Sequence, residues 1–143
     1  SVLSLNLLLT KENIKKPTAA IMLSPWLDVS LSNPKINEKK DIVCSIVGNR
    51  YCGKIWAGKY DINDYRVSPI YGNLENLNKV FISCGGNEIC QPDCIKLINK
   101  IKPLGINYKF VQFENQFHNF ELYPISESKI IIEEIYHYIM GEN

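Results

Sequence analysis

The sequence predicts an α/β fold with a parallel sheet of three strands and flanking helices. Three short apolar runs, residues 18–23, 80–83 and 107–113, suit buried strands. The stretches between them are long enough to hold helices, and crossovers of this kind make neighbouring strands parallel. Helical patterns also precede the first run and follow the last. The predicted element order is therefore α-β-α-β-α-β-α.

The first half of the chain predicts two helices and one strand. Residues 2–9 are apolar at nearly every position, which predicts a helix that is buried on most sides. Residues 18–23 do not alternate with polar ones, which favours a strand buried on both faces of the sheet. Residues 24–40 contain two prolines and are predicted to form a loop. Asp41 is a candidate N-cap for the second helix, whose apolar stripe would be Ile42, Ile46, Tyr51, Ile55 and Trp56.

The second half predicts two strands and two helices. Two glycines end the strand at 80–83, and Pro92 suits the first turn of the helix that follows. The buried stripe of that helix would be Cys94, Leu97, Ile98, Ile101 and Leu104. The third strand spans residues 107–113, and Ser126 is a candidate N-cap for the last helix. The buried stripe of the last helix would be Ile131, Ile135, Tyr138 and Ile139.

Composition restricts the classes of function. The 143 residues suffice for one domain, predicted to span residues 1–143. With 16 basic and 15 acidic residues, the charge gives no basis for binding nucleic acid or an anionic membrane. The five cysteines include no C-x-x-C pair and are expected to be free thiols in the cytoplasm. The apolar N-terminal stretch is too short to span a bilayer and lacks the pattern of a signal peptide.

A candidate site follows from the rule that ligands of open α/β sheets bind at the carboxyl ends of the strands. Glu88 and His118 follow adjacent strands and should meet at this edge. A carboxylate beside an imidazole can fix the tautomer of the ring and stabilise the imidazolium, as in a nucleophilic triad. A lone histidine among phenylalanines is more often packed and hydrogen-bonded than reactive, so the local sequence alone favours a core residue.

Metal, cofactor and nucleophile patterns give weaker signals. Glu88, Asp93 and His118 could supply three metal ligands, but their spacing does not suggest one facial site, so no metal is predicted. No cofactor is predicted either, because the glycine pair lacks the third glycine of a dinucleotide fingerprint. A hydrolase nucleophile would need a G-x-S-x-G turn, which the sequence does not contain. Ser24 is followed by a proline rather than a helix, and Cys90 lies only two residues beyond the acid, so neither is favoured as a nucleophile.

Four motifs in order carry a family resemblance: S-P-W-L-D at 24–28, Y-R-V-S-P-I-Y-G at 65–72, V-F-I-S-C-G-G-N-E-I at 80–89 and Q-F-H-N-F at 116–120. Together they resemble the C-terminal half of the hormone-sensitive-lipase-like branch of the α/β-hydrolases, which includes bacterial esterases. The resemblance runs along the whole chain. It implies a partial α/β-hydrolase fold that begins just after the nucleophile turn, without the serine and the oxyanion loop.

The resemblance also implies roles for individual residues. His118 matches the general base of the family's triad and Glu88 matches the acid. Asp93 matches a second acidic position with a supporting role, and the choice of triad acid between Glu88 and Asp93 stays open. Cys90 departs from the family pattern, because a leucine is common at this position.

The implied activity is hydrolysis of small-molecule carboxylic esters by the complete enzyme, with this chain inactive alone. The alternatives are a truncated, catalytically inactive interaction module and, less favoured, a small cofactor-binding α/β domain. Without the inner neighbour that the family supplies, the first strand and first helix would leave apolar surface uncovered. We therefore expect self-association of the chain, or pairing with the missing N-terminal half.

Overall fold

The computed structural model describes residues 1–38 and 41–141. Lys39 and Lys40, which end the predicted loop, lie outside the described residues. The helices and strands follow one another in the predicted order, which is confirmed. They are α1 Val2–Lys11, β1 Ala19–Leu23, α2 Ile46–Ala57, β2 Lys79–Gly85, α3 Gln91–Ile101, β3 Tyr108–Phe113 and α4 Ser126–Met140.

The three strands form one parallel sheet, as predicted, and their order is β1-β2-β3. The register pairs Met22 of β1 with Ile82 of β2, which in turn pairs with Phe110 of β3. The central strand β2 is the most enclosed, because residues 80–84 have no solvent exposure. The edge strand β1 differs from the prediction of burial on both faces. Its Ala20 and Met22 are buried, whereas alternate residues on the other face are only partly covered.

Two clusters of apolar side chains cover the two faces of β2. On one face, α1 and α3 contribute residues such as Leu3 and Leu97, which pack with Ile82. On the other face, Phe81 packs against Phe120 and against residues of α4. Full burial of one such side chain stabilises the fold by about 1.5–3 kcal/mol. The two clusters therefore hold β2 rigidly, and with it the loop that leaves its carboxyl end.

Helix α1 is covered on one side only, which corrects the prediction of burial on most sides. Its buried residues are Leu3, Ser4, Asn6 and Leu7. Val2, Leu5 and Leu8 are 40–54% exposed because no element of the described chain packs on that side. The apolar composition of the helix therefore reflects two faces, of which this chain covers one.

Helix α2 begins later than predicted and buries other residues. Its N-cap is Ser45, whose hydroxyl accepts a hydrogen bond from the Gly48 amide, and not Asp41. The residues buried along the helix are Gly53 and Ala57. Gly53 lies so close to Val29 that a Cβ atom there would be 2.4 Å from the Val29 carbonyl oxygen. Most of the predicted apolar stripe faces solvent: Ile42, Tyr51, Ile55 and Trp56 are at least 64% exposed.

Smaller differences concern the ends of α3 and α4. Leu104, predicted in the stripe of α3, lies in a 3-10 turn beyond that helix and is exposed. Ser126 is the first residue of α4, and Ile125 occupies the N-cap position without a capping side chain. Ile139 is exposed, whereas Ile131 is buried as predicted. Within the described ranges, no helix combines the length and the apolar character needed to cross a membrane.

Candidate active site

Two glycines let the turns after β2 and β3 dock backbone against backbone. A Cβ atom at Gly85 would lie 2.3 Å from the carbonyl oxygen of Gln116, and one at Gly86 would lie 2.4 Å from that of Glu114. The amides of Gly86 and Asn87 donate hydrogen bonds to carbonyl oxygens of the facing turn. Residues with a side chain would hold these turns apart. The glycine pair therefore brings the loop that carries Glu88 against the loop that carries His118.

Glu88 and His118 meet as predicted at the carboxyl edge of the sheet. Oε2 of Glu88 lies 2.5 Å from Nδ1 of His118. The Glu88 side chain is fully buried, whereas the imidazole keeps 15% of its surface exposed. The other carboxylate oxygen, Oε1, accepts hydrogen bonds from the Gly85 amide at 2.8 Å and the Ser24 hydroxyl at 3.1 Å. With both oxygens engaged, Glu88 can fix the orientation and the tautomer of the imidazole.

The environment of this pair shifts both pKa values upward. Burial lowers the pKa of His118, but the hydrogen bond and negative charge of Glu88 outweigh it, so the pKa lies above the usual 6.5. Burial raises the pKa of the Glu88 carboxyl, and the hydrogen bonds that it accepts offset only part of this effect. The imidazole can therefore take up a proton readily, and Glu88 stabilises the cation that results.

Ser24 holds the loops together and was not predicted as a site residue. Its hydroxyl accepts a hydrogen bond from the Asn119 amide at 3.0 Å and donates towards Glu88. Ser24 and Asn119 both have positive φ angles, 42° and 58°, which non-glycine residues rarely adopt. Such backbone strain persists only where the surroundings enforce it. The sequence signal is a serine directly after β1, at the same carboxyl edge of the sheet as Glu88 and His118.

A second buried carboxylate, Glu121, was missed in the sequence. Its Oε1 accepts a hydrogen bond from the Ser83 hydroxyl at 2.5 Å, and its Oε2 lies 3.3 Å from the Ser24 hydroxyl. Ser24 thus lies between the carboxylates of Glu88 and Glu121. The available signal was an acidic residue within the apolar run that follows His118.

Asp93 does not contact the imidazole. Its Oδ1 accepts a hydrogen bond from the Asn33 side chain at 2.8 Å, and its buried Oδ2 has no partner among the described residues. Burial raises the pKa of this carboxyl. Between the two acids that the sequence left open, Glu88 is the one placed against His118.

Asp28 organises the loop after β1. Its carboxylate accepts hydrogen bonds from the hydroxyls of Ser30, Ser32 and Tyr71 at 2.6–2.9 Å. Burial opposes the charge of Asp28, but these hydrogen bonds prevail and its pKa is lowered. The indole of Trp26 donates to the Asp28 carbonyl oxygen, which fixes the aromatic ring beside the site.

Cavities lie on the His118 side of the site and beyond Trp26. One of about 240 Å³ is lined by residues that include Ser24, Trp26, His118 and Asn119. The other, of about 580 Å³, is mainly apolar and includes Trp26 and Trp56 in its walls. Trp26 lines both cavities, so they lie next to each other.

Comparisons with known proteins support the fold. A family model described as alpha/beta hydrolase fold matches residues 2–122. An esterase of Acinetobacter venetianus is 26% identical over 124 residues, which cover 85% of this chain and 41% of that protein.

Solved structures show the same fold. A candidate esterase from Staphylococcus aureus is 31% identical with a TM-score of 0.90, covering 94% of this chain and 46% of that chain. A hormone-sensitive-lipase homologue from a metagenome library superimposes with a TM-score of 0.89 at 22% identity, covering 99% of this chain and 50% of that one. The chain therefore spans about half the length of these relatives, or less.

Proposed function

The chain belongs to the α/β-hydrolase fold family, and on that premise we propose that it is the C-terminal portion of a carboxylic ester hydrolase of the hormone-sensitive-lipase-like branch. In this proposal His118 is the general base of a Ser-His-acid triad and Glu88 is the acid. The serine and the oxyanion loop come from an N-terminal portion, since the sequence has no G-x-S-x-G turn. The coverage of about half of each solved relative supports this division.

The contact of 2.5 Å between Glu88 Oε2 and His118 Nδ1 carries the proposal. With its proton held on Nδ1, the ring offers the lone pair of Nε2 as a base. It would take the proton of the serine hydroxyl as the serine oxygen attacks the ester carbonyl. The imidazolium would then protonate the leaving alcohol, and the same base would activate water to hydrolyse the acyl-enzyme.

The walls of the cavities support a small-molecule ester with an apolar group. The indole of Trp26 lies between the cavity that reaches His118 and the larger apolar cavity. Ligand pockets are commonly apolar with a few polar groups that fix the orientation. In this arrangement the ester bond lies at the imidazole and the apolar group extends towards Trp56. The five free cysteines support a reducing compartment, and we place the enzyme in the cytoplasm.

One observation favours a second candidate, an interaction module without catalysis. Exposed apolar residues lie on both α1 and α2, including Leu5 and Trp56. Surface of this kind is commonly a contact site, either for the proposed N-terminal portion or for another copy. Sedimentation of the isolated chain at micromolar concentration tests self-association, and a monodisperse monomer would contradict it. Two results together would favour the interaction module. The chain would be folded and bind a partner, and the full-length product would hydrolyse no ester.

Substitutions in the full-length product of the native gene test the catalytic assignment. We expect His118→Ala and Glu88→Gln to lower kcat for a chromogenic ester by about 10²–10⁴-fold without unfolding the protein. The matched control is His137→Ala, because His137 lies on the exposed side of α4. Activity retained in His118→Ala, or an equal loss in His137→Ala, would overturn the assignment.

A further inference from the structure

Three potential metal ligands converge at the candidate active site. One ligand atom each from Glu88, Cys90 and His118 lies within 4.8 Å of the other two. Within residues 1–38 and 41–141 this is the one such group of three. The sequence had suggested Asp93 as the third member, but the thiol of Cys90 takes that place. Cys90 is 1% exposed, and its side chain faces the buried carboxylate rather than bulk solvent.

The donor set suits a thiophilic divalent cation. Thiolate, imidazole and carboxylate are all ligands of Zn²⁺, with bonds of about 2.0–2.3 Å. Three atoms so close together need only small side-chain shifts to reach those distances around one ion. Structural zinc sites use four protein ligands, whereas three leave a position for water. The 15% exposure of the His118 side chain gives that position access to solvent.

The surrounding charges favour a cation and disfavour a free thiolate. The Cys90 thiol is buried and lies within 4.8 Å of a Glu88 carboxylate oxygen, and the Asp41 carboxylate binds the amide of the neighbouring Ile89. Asp41 is fixed in this position, because its Oδ2 accepts a hydrogen bond from the Ile89 amide at 2.8 Å. A bound divalent cation would offset the two negative charges of Glu88 and ionised Cys90. With the divalent ion bound, the charges of the site therefore sum to zero. Without the ion, burial next to Glu88 makes ionisation of the Cys90 thiol unfavourable.

We propose that Glu88, Cys90 and His118 form an inhibitory binding site for Zn²⁺ and related thiophilic cations. On binding, the S–H bond of Cys90 breaks, its proton passes to solvent and a metal–sulfur bond forms. The proton shared by Glu88 and His118 moves from Nδ1 to Nε2, so that Nδ1 and a carboxylate oxygen become ligands. Water fills the fourth position. Ester hydrolysis then stops because Nε2 no longer has a free lone pair, a consequence that rests on the proposed function, whereas binding does not.

Titration of the chain with Cd²⁺ tests binding independently of catalysis. The probe is the ultraviolet charge-transfer absorption of a cadmium–thiolate bond, with Zn²⁺ as competitor. We expect the absorption to saturate at one Cd²⁺ per chain and to disappear when Zn²⁺ is added. Cys90→Ser should abolish the signal and weaken binding by at least about 10-fold, the loss seen even for outer-shell partners of metal sites. The matched control is Cys52→Ser, which removes an exposed thiol and should leave the signal unchanged.

A second variant keeps the test decisive if Cys90→Ser fails to fold, as judged by circular dichroism. His118→Gln changes a partly exposed ring and should weaken binding by at least the same factor while the thiolate is still present. Absence of stoichiometric absorption in the unmodified chain would overturn the proposal. So would a signal that persists in Cys90→Ser or disappears in Cys52→Ser. Binding without ester hydrolysis by the full-length enzyme would uphold the metal site and count against the proposed function.

Discussion

Oε2 of Glu88 lies 2.5 Å from Nδ1 of His118, joining two turns that are 30 residues apart in the chain. The contact depends on the docking of the two turns, which requires glycine at positions 85 and 86. It also depends on the hydroxyl of Ser24, which hydrogen-bonds to both loops. Each of these features gives a prediction that can be measured on the chain itself.

The first prediction concerns the charge partner of the imidazole. Replacing Glu88 by Gln removes the negative charge that raises the pKa of His118, while the burial that lowers the pKa remains. We expect the His118 pKa, followed by NMR titration, to fall in Glu88→Gln, although the charges of Asp41 and Glu121 still raise it. Asp93→Asn is the matched control and should change this pKa much less. A larger shift in Asp93→Asn would transfer the role of partner to Asp93.

The same shift fixes the direction of the pH dependence of catalysis. The base form of His118 exists above its pKa, which lies above 6.5 in the unmodified protein. Activity of the full-length enzyme should therefore rise with pH through that value, and the inflection should move to lower pH in Glu88→Gln.

The second prediction concerns Ser24. Ser24→Ala leaves the Asn119 amide without its acceptor and removes the donor between two buried carboxylates. We expect the free energy of unfolding, measured with urea, to fall by about 1–3 kcal/mol. Ser126→Ala is the control, since that hydroxyl donates to an exposed carboxylate and should change stability by less than about 0.5 kcal/mol. Equal effects of the two substitutions would count against the role of Ser24.

The third prediction concerns the docked turns. In Gly86→Ala the added methyl would lie 2.4 Å from the Glu114 carbonyl oxygen, so the two backbones must separate. We expect a loss of stability of about 1–3 kcal/mol or more. Gly48→Ala provides the contrast, because its methyl would meet only Ser45 at an ordinary 3.8 Å.

In Gly48→Ala, at an exposed position of α2, the alanine should instead stabilise the helix by about 0.5–1 kcal/mol. The two effects differ in sign, so urea unfolding distinguishes them clearly. Unchanged stability in Gly86→Ala would mean that the turns are not closely docked.

The fourth prediction concerns Asp28 and pH. Its hydrogen bonds hold the folded-state pKa below the ordinary 3.8, so the stability that they provide is present above that value. It is lost as the pH falls through the folded-state pKa. Asp28→Asn should therefore lower the free energy of unfolding by about 1.5 kcal/mol or more near neutral pH.

The difference in free energy of unfolding between the unmodified protein and Asp28→Asn should then become smaller as the pH falls from about 5 to 2. Urea unfolding across that interval measures it. A difference that stays constant over the interval would contradict the role given to the Asp28 charge.

The sheet and the two candidate residues were predictable because both depend on local patterns and one general rule. Unalternating apolar runs indicated the strands, and the meeting of parallel strands at one edge indicated that Glu88 and His118 are neighbours. The start and the orientation of α2 were wrong. The sequence predicts Asp41 as the N-cap, but its carboxylate accepts a hydrogen bond from the Ile89 amide of another loop, and Ser45 caps the helix.

The remaining errors arise because a sequence pattern does not state which face of an element is covered. The apolar residues of α2 suggested a buried stripe, whereas close packing on Val29 selected Gly53 instead. Ser24 and Glu121 were missed as site residues because their positions depend on three loops meeting in space. The exchange of Asp93 for Cys90 among the potential metal ligands has the same origin.

The central claim is that this chain supplies the base and acid for a serine in the same polypeptide. The most direct measurement is the intact mass of the native gene product before and after reaction with a serine-directed fluorophosphonate. We expect about twice the 16.4 kDa of this chain, in keeping with its coverage of 46–50% of the solved relatives, and one covalent adduct that is lost in His118→Ala. A product of 16.4 kDa that forms no adduct would contradict the account.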